Sequence, residues 1–537
     1  MSFSAGMPLV KKSITRDKWR VMAYAMLALL AALALQFHAT GGRVAYTMDS
    51  LSYRDAALNL LAGRVLMATN TLAEVPEHIP FVVWPPAYPT LWAGMAHVLD
   101  LNIDRIPILL APVLLGLTVL CMYWTALMLS GKPVVASLVA AVSAFSPSIM
   151  AVYGYAWSEG LFVPLVVLAF ASVWKFGAAA REGERWGWLV LAVFFVALAN
   201  WVRYAGAIFL PLMAGSLYVL SGHAFRQRLL HSCSALLLAL LAVAPLWLRN
   251  YRLSGNIAGS GRGGAPSDII GRLLDDLDNI ELMFEYWLFN YDTVLSAHLK
   301  IPMLAVATFL AIKCIRKSGW RLHLPRAVVL PMAWAGGQLL FLLYARVRYR
   351  ELDLDYRMLA SVVPFLLLAI TPGLKTVLSG ASSRLAVGFA VLVMALLVHT
   401  GWRESTRVHE NYAAGKEPAW RAKSFAIIYH DLNEASRRSR ALKTAIGELP
   451  PGMLVLTDYR ALYVRYLAGI RAFAVNGVDD CARWLRTHDE GVLLTGYAQT
   501  DAPWKGQYWA SECLPNNPRW RIIVITGIAS HKLILDE

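Results

Sequence analysis

The chain has 537 residues, of which 58% are hydrophobic and only 16% are charged, and its formal net charge is +15. A soluble protein carries roughly a quarter charged residues, so this composition excludes an ordinary soluble domain and indicates a membrane protein. The basic residues are dispersed among apolar stretches and form no continuous stripe. This distribution argues against nucleic acid and favours membrane lipids with anionic headgroups as partners.

A spanning helix needs about 20 mostly apolar residues, and about eleven stretches of the chain suit that length. The first follows a basic N-terminal segment, and we interpret it as a retained signal anchor because no clear cleavage site follows it. The predicted spans lie near residues 19–37, 106–128, 134–152, 160–176, 186–202, 206–221, 232–248, 300–315, 327–345, 358–373 and 385–401.

The short basic loops fall on one side when these spans alternate, and the positive-inside rule makes that side the cytoplasm. Residues 1–401 are then a transmembrane domain with a cytoplasmic N-terminus and a long external loop over 38–105. Residues 402–537 form a soluble external domain, periplasmic in a bacterium. Its short β-rich runs and intervening helical stretch predict a small α/β domain, in which Cys481 and Cys513 could form a disulfide. The predicted fold class is a mainly α, polytopic membrane protein with this added domain.

Asp49 follows the first span and begins a predicted surface helix over residues 50–66. Asp49 and Tyr53 share one face of that helix by i, i+4 spacing. Aspartate is also a favoured N-cap residue, and the helix pattern alone does not separate a cap from a catalytic carboxylate. The side chains predicted to pack below this face are Ala56, Leu58, Leu61 and Leu66.

Glu159 stands at the external start of the fourth predicted span, just after a segment rich in tyrosine and tryptophan. A carboxylate at a helix start also complements the helix dipole, so the position alone does not establish a function. Together with Asp49 it gives two external carboxylates near tyrosines. That combination suits acid–base chemistry on a hydroxyl substrate.

Arginines on the external side are the clearest signal for a binding site, because the positive-inside rule predicts few basic residues there. A guanidinium binds phosphate through two parallel hydrogen bonds and keeps its charge when desolvated. Some of these side chains would only anchor to lipid headgroups. Arg249 and Arg357, each where a span meets the surface, are the main candidates. The external set is Arg203, Arg249, Arg346, Arg348, Arg350 and Arg357.

Several short motifs come in a shared order along the external side, and together they resemble the GT-C polytopic glycosyltransferases over residues 15–400. The bacterial branch with protein mannosyltransferase-like enzymes and the lipid A aminoarabinose transferase is the most similar. The motifs are Asp49-Ser-Leu-Ser-Tyr53, Trp84-Pro-Pro-Ala-Tyr88, Ser158-Glu159-Gly-Leu-Phe162, Trp201-Val-Arg203-Tyr204-Ala-Gly206, Trp247-Leu-Arg249-Asn250-Tyr251 and Tyr356-Arg357-Met-Leu-Ala.

The resemblance implies a GT-C fold and transfer of a sugar from a polyprenyl-phosphate donor to a hydroxyl of a cell-envelope acceptor, usually with inversion, at the external face of a bacterial inner membrane. Asp49 would be the general base. Glu159 would orient the acceptor, or help to bind a divalent metal where one is used. The donor phosphate would be bound by Arg249, Arg357, Arg203 and Arg348, which stabilise the leaving group. The substrate-contacting set would be Tyr53, Arg54, His78, Trp84 and Tyr88.

One position departs from the aminoarabinose transferases, which carry a lysine just before the double proline where this chain has Trp84. The phosphate contact of that lysine is then missing, or replaced by Arg64 or His78. This difference argues against that particular activity.

Two other classes of function compete with the transferase: a transporter or flippase of lipid-linked sugars, and a non-catalytic scaffold of envelope assembly. Transporters place ionisable residues near the bilayer midplane, on broken helices related by internal repeats. In this chain the charged residues flank the spans and no repeat is visible, which favours an enzyme, expected to be a monomer. No cofactor follows from the residues, because His78 with Glu74 and Glu77 lacks a specific metal-ligand spacing.

Overall fold

The computed structural model describes residues 18–42, 44, 46–70, 77–222, 224–259, 325–348 and 356–379, isolated helical positions between 271 and 410, and five strands beyond residue 454. Helices predominate before residue 380. They are α1 (Lys18–Thr40), α2 (Met48–Leu61), α3 (Ala87–Leu99), α4 (Ile106–Ser130), α5 (Pro133–Ala144), α6 (Pro147–Gly154), α7 (Glu159–Ala178), α8 (Glu182–Val202), α9 (Phe209–Leu220), α10 (Phe225–Ser254), α11 (Arg326–Arg348), α12 (Tyr356–Leu359) and α13 (Val363–Ser379). Two 3-10 turns lie at Ile103–Arg105 and Tyr204–Ile208.

Six described helices are long and apolar enough to cross a membrane, or up to seven if the bent pair α5 and α6 is one span. Of the other predicted spans, 206–221 and 358–373 correspond to shorter apolar helices, Tyr204–Leu220 and Val363–Thr376. The predicted spans 300–315 and, in large part, 385–401 lie outside the described residues. The chain is therefore a mainly helical, polytopic membrane protein.

The predicted span 134–152 is two helices rather than one. α5 ends at Ala144, α6 begins at Pro147, and the two axes differ by 59°. Proline lacks the N–H that would continue the hydrogen-bond ladder, but it fits the first turn of a new helix. Pro147 therefore ends one helix and begins the next.

The described chain separates into two compact units, and the first comprises residues 1–44, 82–88 and 107–407. Four aromatic rings from α7, α9, α11 and α13 pack at its centre. The Trp334 ring lies 5.3 Å from Phe170, 5.2 Å from Phe209 and 5.3 Å from Phe365, between ring centroids. The indole N–H of Trp334 donates to Ser216 Oγ at 3.0 Å, so its one polar group is paired. This cluster fixes the helix that begins at Glu159.

The second unit comprises residues 45–81, 89–106 and 408–537. After α2, strands β1 (Met67–Asn70) and β2 (Glu77–Pro80) form an antiparallel hairpin. Asp55 of α2 accepts hydrogen bonds from the backbone N–H and the hydroxyl of Thr69, at 2.6 and 2.8 Å. The hairpin is therefore tied to the helix by one carboxylate.

The strands described after residue 454 are β3 (Val455–Thr457), β4 (Ala472–Ala474), β5 (Gly491–Gly496), β6 (Trp520–Ile525) and β7 (Ser530–His531). They form a sheet ordered β4-β3-β5-β6-β7, parallel except for the last pair. Of these, β3, β5 and β6 lie in the β-rich runs of the sequence. The intervening helical stretch that the sequence predicts lies outside the described residues, as do Cys481 and Cys513, so the α/β domain and its disulfide stay predictions.

The predicted helix over 50–66 is shorter, because α2 spans Met48–Leu61. It ends before Gly63, whose φ of +77° lies in the left-handed region that glycine adopts readily. Ala56 is buried as predicted, but Leu58 and Leu61 are exposed at 38% and 43%. The buried face of α2 instead runs through Leu51, Tyr53, Ala56 and Ala57.

Candidate active site

Glu159 is the first residue of α7, and its side chain is only 4% exposed. The backbone N–H of Phe162 donates to Ser158 O at 3.0 Å, which closes the first turn of the helix. Glu159 therefore benefits from the helix dipole. The dipole alone does not compensate a buried carboxylate, which also requires ionic or hydrogen-bonding partners.

Two guanidinium groups supply those partners from distant parts of the chain. Arg203 Nη1 lies 2.7 Å from Glu159 Oε2, and Arg357 Nε lies 3.0 Å from Oε1. Arg203 Nη1 also donates to Ser158 Oγ at 3.0 Å. The Arg357 contact lacks hydrogen-bond geometry and is an ion pair only. Two guanidiniums therefore share one carboxylate.

Further contacts hold the two arginines. Arg203 Nη2 donates to Met358 Sδ at 3.6 Å, so the residue next to Arg357 also contacts Arg203. The Arg357 guanidinium carbon lies 5.1 Å from the ring centroid of Trp157, which stacks on Tyr155 at 4.3 Å. Cation–π contact stabilises a guanidinium without using its N–H groups. We call Glu159, Arg203 and Arg357 the arginine–glutamate cluster.

A second network begins at the residue after Arg203. The Tyr204 hydroxyl donates to Val82 O at 3.0 Å and accepts from Asn250 Nδ2 at 2.8 Å. Asn250 Oδ1 accepts from Arg249 Nη1 at 3.3 Å, so Arg249 is joined to this network. Tyr204 and Asn250 are buried.

Asp49 lies in the first turn of α2 and is half-buried, but it does not cap the helix. Thr47 is the N-cap: its Oγ1 accepts from the N–H of Ser50, and its own N–H donates to Ser50 Oγ. The N-cap interpretation of Asp49 is therefore wrong. Tyr53, on the same helix, is buried at 2% exposure.

The Arg54 guanidinium pairs with the Asp104 carboxylate through two hydrogen bonds. Arg54 Nε lies 2.6 Å from Oδ1 and Nη2 lies 2.9 Å from Oδ2, the two-bond geometry typical of arginine and carboxylate. Arg64 Nε donates to Asn59 Oδ1 at 3.0 Å. His78 lies in β2, and its buried Nδ1 receives no hydrogen bond in the described chain.

The remaining predicted residues lie in the first unit. Trp84 is half-buried and Tyr88, the second residue of α3, is buried at 3% exposure. Arg348 is the last residue of α11, and its side chain lies outside the described part of the chain.

No protein-family model matches the chain, and no curated protein is significantly similar to it in sequence. Solved structures are similar. ArnT from Cupriavidus metallidurans bound to undecaprenyl phosphate gives a TM-score of 0.54 at 13% identity, over 94% of this chain and 93% of that chain. The Archaeoglobus fulgidus oligosaccharyltransferase tethered to an acceptor peptide gives 0.54 at 12%, over 86% and 64%. AglB from Archaeoglobus fulgidus, with an inhibitory peptide and a dolichol-phosphate, gives 0.52 at 11%, over 95% and 70%.

The chain shares the fold of these structures, which agrees with the GT-C fold that its motifs predict. Within it, sequence motifs far apart in the chain meet in the arginine–glutamate cluster. Tyr204 and Asn250 stand in the quoted motifs, but the sequence assigned them no role. Each directly follows an arginine at the end of a predicted span, and a polar residue that is buried there needs a partner of its own.

Glu159 does not fit the metal-ligand role that the GT-C resemblance allows. Each of its oxygens faces a guanidinium, and a divalent cation bound there would lie close to two positive charges. Among the residues that the structure describes, no group of three His, Cys, Asp or Glu side chains lies together.

Proposed function

We propose that this GT-C protein is an inverting glycosyltransferase that moves a sugar from a polyprenyl-phosphate donor to a hydroxyl of a cell-envelope acceptor. The observation that carries the proposal is the arginine–glutamate cluster, in which two guanidiniums share one buried carboxylate at the start of a membrane helix. The lipid phosphates bound in the similar structures, undecaprenyl phosphate in ArnT and dolichol-phosphate in AglB, support a lipid phosphate as the ligand.

The reaction breaks one bond and forms one. The acceptor oxygen attacks the anomeric carbon of the sugar, the bond from that carbon to the phosphate oxygen breaks, and the lipid phosphate leaves with the electron pair. Asp49 takes the proton of the acceptor hydroxyl as general base. Phosphate is already a good leaving group, so stabilising its charge matters more than protonating it.

Arg203 and Arg357 supply that stabilisation, and Glu159 acts through them. Its carboxylate holds both guanidiniums in place before the donor binds, so little reorganisation is needed when charge develops on the phosphate. We therefore assign Glu159 as a positioning residue, in place of the acceptor-orienting or metal-binding role. Arg249 and Arg348 are proposed as further phosphate contacts.

The transporter alternative is less well supported. In the described spans, charged side chains lie in the first or last two turns, as Glu159, Lys175, Arg249 and Arg346 do. Ionisable residues of a transport pathway lie deeper. We propose an N-terminus in the cytoplasm and a site on the periplasmic side of a bacterial inner membrane, from the distribution of basic loops.

Mass spectrometry of envelope glycans tests the proposal in cells. Cells that lack the protein should lose one sugar modification, and the wild-type gene should restore it. Asp49→Asn, expressed at the wild-type level, should not restore it. An unchanged glycan profile in the deletion strain, or full restoration by Asp49→Asn, would contradict the assignment.

A further inference from the structure

Tyr204 and Asn250 form a buried polar junction within the first unit. The Tyr204 hydroxyl uses its proton on Val82 O and accepts from Asn250. Asn250 Nδ2 also donates to Ile257 O at 3.1 Å, so the amide ties the end of α10 to the turn that follows it. Asn250 is 0% exposed and Tyr204 is 8% exposed. Buried groups paired this fully fix the geometry of their surroundings.

A glycine brings a further segment against the same carbonyl. Gly259 has a φ of +81°, and a Cβ atom there would overlap Val82 O and lie 3.1 Å from the Tyr204 hydroxyl. Any other residue would therefore clash and be strained. The segment after α10 and the segment before Trp84 thus come together at Val82 O, the carbonyl to which the Tyr204 hydroxyl donates its hydrogen bond.

The junction touches two arginines that the proposed function uses and the turn at Trp84, which the sequence predicts to contact the substrate. Asn250 Oδ1 accepts from Arg249, and Tyr204 directly follows Arg203 in the chain. The carbonyl that Tyr204 fixes lies just before Trp84. Two prolines follow Trp84, and their rings fix the backbone beyond it, so an anchor at one end sets the direction of the whole turn.

We propose that Tyr204 and Asn250 are positioning residues for the lipid phosphate of the donor. They hold the Arg249 guanidinium and the turn beginning at Trp84 in register with Arg203. This inference rests on the proposed function, because the ligand is the phosphate that the arginine–glutamate cluster would bind. Neither side chain needs to contact the ligand.

Two variants remove different hydrogen bonds of the junction without changing its charge. Tyr204→Phe keeps the ring and removes the hydroxyl, which ends the contacts to Val82 and Asn250. Asn250→Leu keeps the approximate volume and also releases Arg249. Tyr251→Phe is the matched control, because this neighbour on the same helix is 59% exposed.

The experiment compares two lipids on the purified full-length protein in nanodiscs, undecaprenyl phosphate and undecaprenol, which lacks the phosphate. The wild type should prefer the phosphate. Both variants should lower that preference about tenfold, the order expected when one or two buried hydrogen bonds are lost, and leave undecaprenol affinity unchanged. The double variant should lose more than Asn250→Leu alone but less than the sum of the two single losses, because the residues share one bond and Tyr204 also anchors Val82 O. Tyr251→Phe should behave as the wild type.

The outcomes distinguish the two claims. If the wild type shows no preference for the phosphate, the proposed function fails. If the wild type prefers it and Tyr204→Phe keeps that preference, the positioning role fails. If the variants lose affinity for both lipids equally, the junction only supports the fold, and the inference is overturned.

Discussion

Glu159 Oε2 and Arg203 Nη1 lie 2.7 Å apart, and both side chains are buried. Arg357 approaches the other oxygen of the same carboxylate at 3.0 Å. The carboxylate therefore holds two arginines that come from the end of α8 and from α12. Arg203 is buried and Arg357 is 15% exposed, so the shared carboxylate compensates guanidinium charge that water solvates poorly.

Removing the shared carboxylate should be costly. Glu159→Gln removes the charge that both guanidiniums face, one of them on a buried side chain, which we expect to lower the free energy of unfolding by about 3–5 kcal/mol. Thermal unfolding in detergent measures the loss. Glu184→Gln, at an exposed site in the first turn of α8, is the control and should have little effect. Equal stability of Glu159→Gln and the wild type would show that the cluster is not a coupled ion-pair system.

Arg357 should not be replaceable by lysine. Arg357→Lys keeps the charge but loses the planar fork and part of the stacking on Trp157, so we expect undecaprenyl phosphate to bind about tenfold more weakly. Arg252→Lys, an exposed change on α10, is the control. Wild-type affinity in Arg357→Lys would show that Arg357 contributes only its positive charge to binding.

Asp49 and Thr47 allow catalysis to be separated from capping. Asp49→Asn should fold normally, because Thr47 and Ser50 cap α2 without it, and we expect transfer to fall by about 100-fold or more. Thr47→Ala should show the reverse pattern: a stability loss of about 1 kcal/mol with transfer retained. The pair is measured by thermal unfolding and by release of undecaprenyl phosphate. Loss of stability in Asp49→Asn without loss of transfer would show that Asp49 supports the fold and is not the general base.

Arg54 should act on the fold rather than on the substrate. Its pair with Asp104 is partly exposed, at 23% and 34%, so Asp104→Asn should cost about 0.2–1 kcal/mol. Arg54→Gln should cost a similar amount and leave the affinity for undecaprenyl phosphate unchanged. A large loss of affinity in Arg54→Gln alone would restore its predicted place among the substrate contacts.

Much of the site was predictable from sequence because charge is rare in a membrane chain. Glu159, Arg203 and Arg357 each stand beside an apolar stretch, and the predicted alternation of spans puts all three on one side of the membrane. Their mutual pairing was not predictable. Residues so far apart in sequence meet only through the packing of the helices that carry them, and a single sequence does not encode that packing locally.

Two local features of the structure, the helix break at Pro147 and the N-cap of α2, differ from the sequence prediction. The Pro147 break was visible in the sequence, yet the apolar composition around it favoured one continuous span. At the start of α2 the sequence offered Asp49 as the N-cap. In the structure Thr47 and Ser50 instead form a reciprocal pair that satisfies two backbone donors. In both places the structure follows from backbone hydrogen bonding, which the hydrophobicity of the sequence does not indicate.

Release of undecaprenyl phosphate from an undecaprenyl-phosphate-linked sugar tests the central claim most directly. Purified full-length protein would be mixed with a donor fraction and an acceptor fraction from the envelope of cells that lack it. The wild type should release undecaprenyl phosphate only when the acceptor is present, and Asp49→Asn should not release it. Acceptor-dependent release by Asp49→Asn at the wild-type rate, or no release by the wild type from any such donor, would contradict the account.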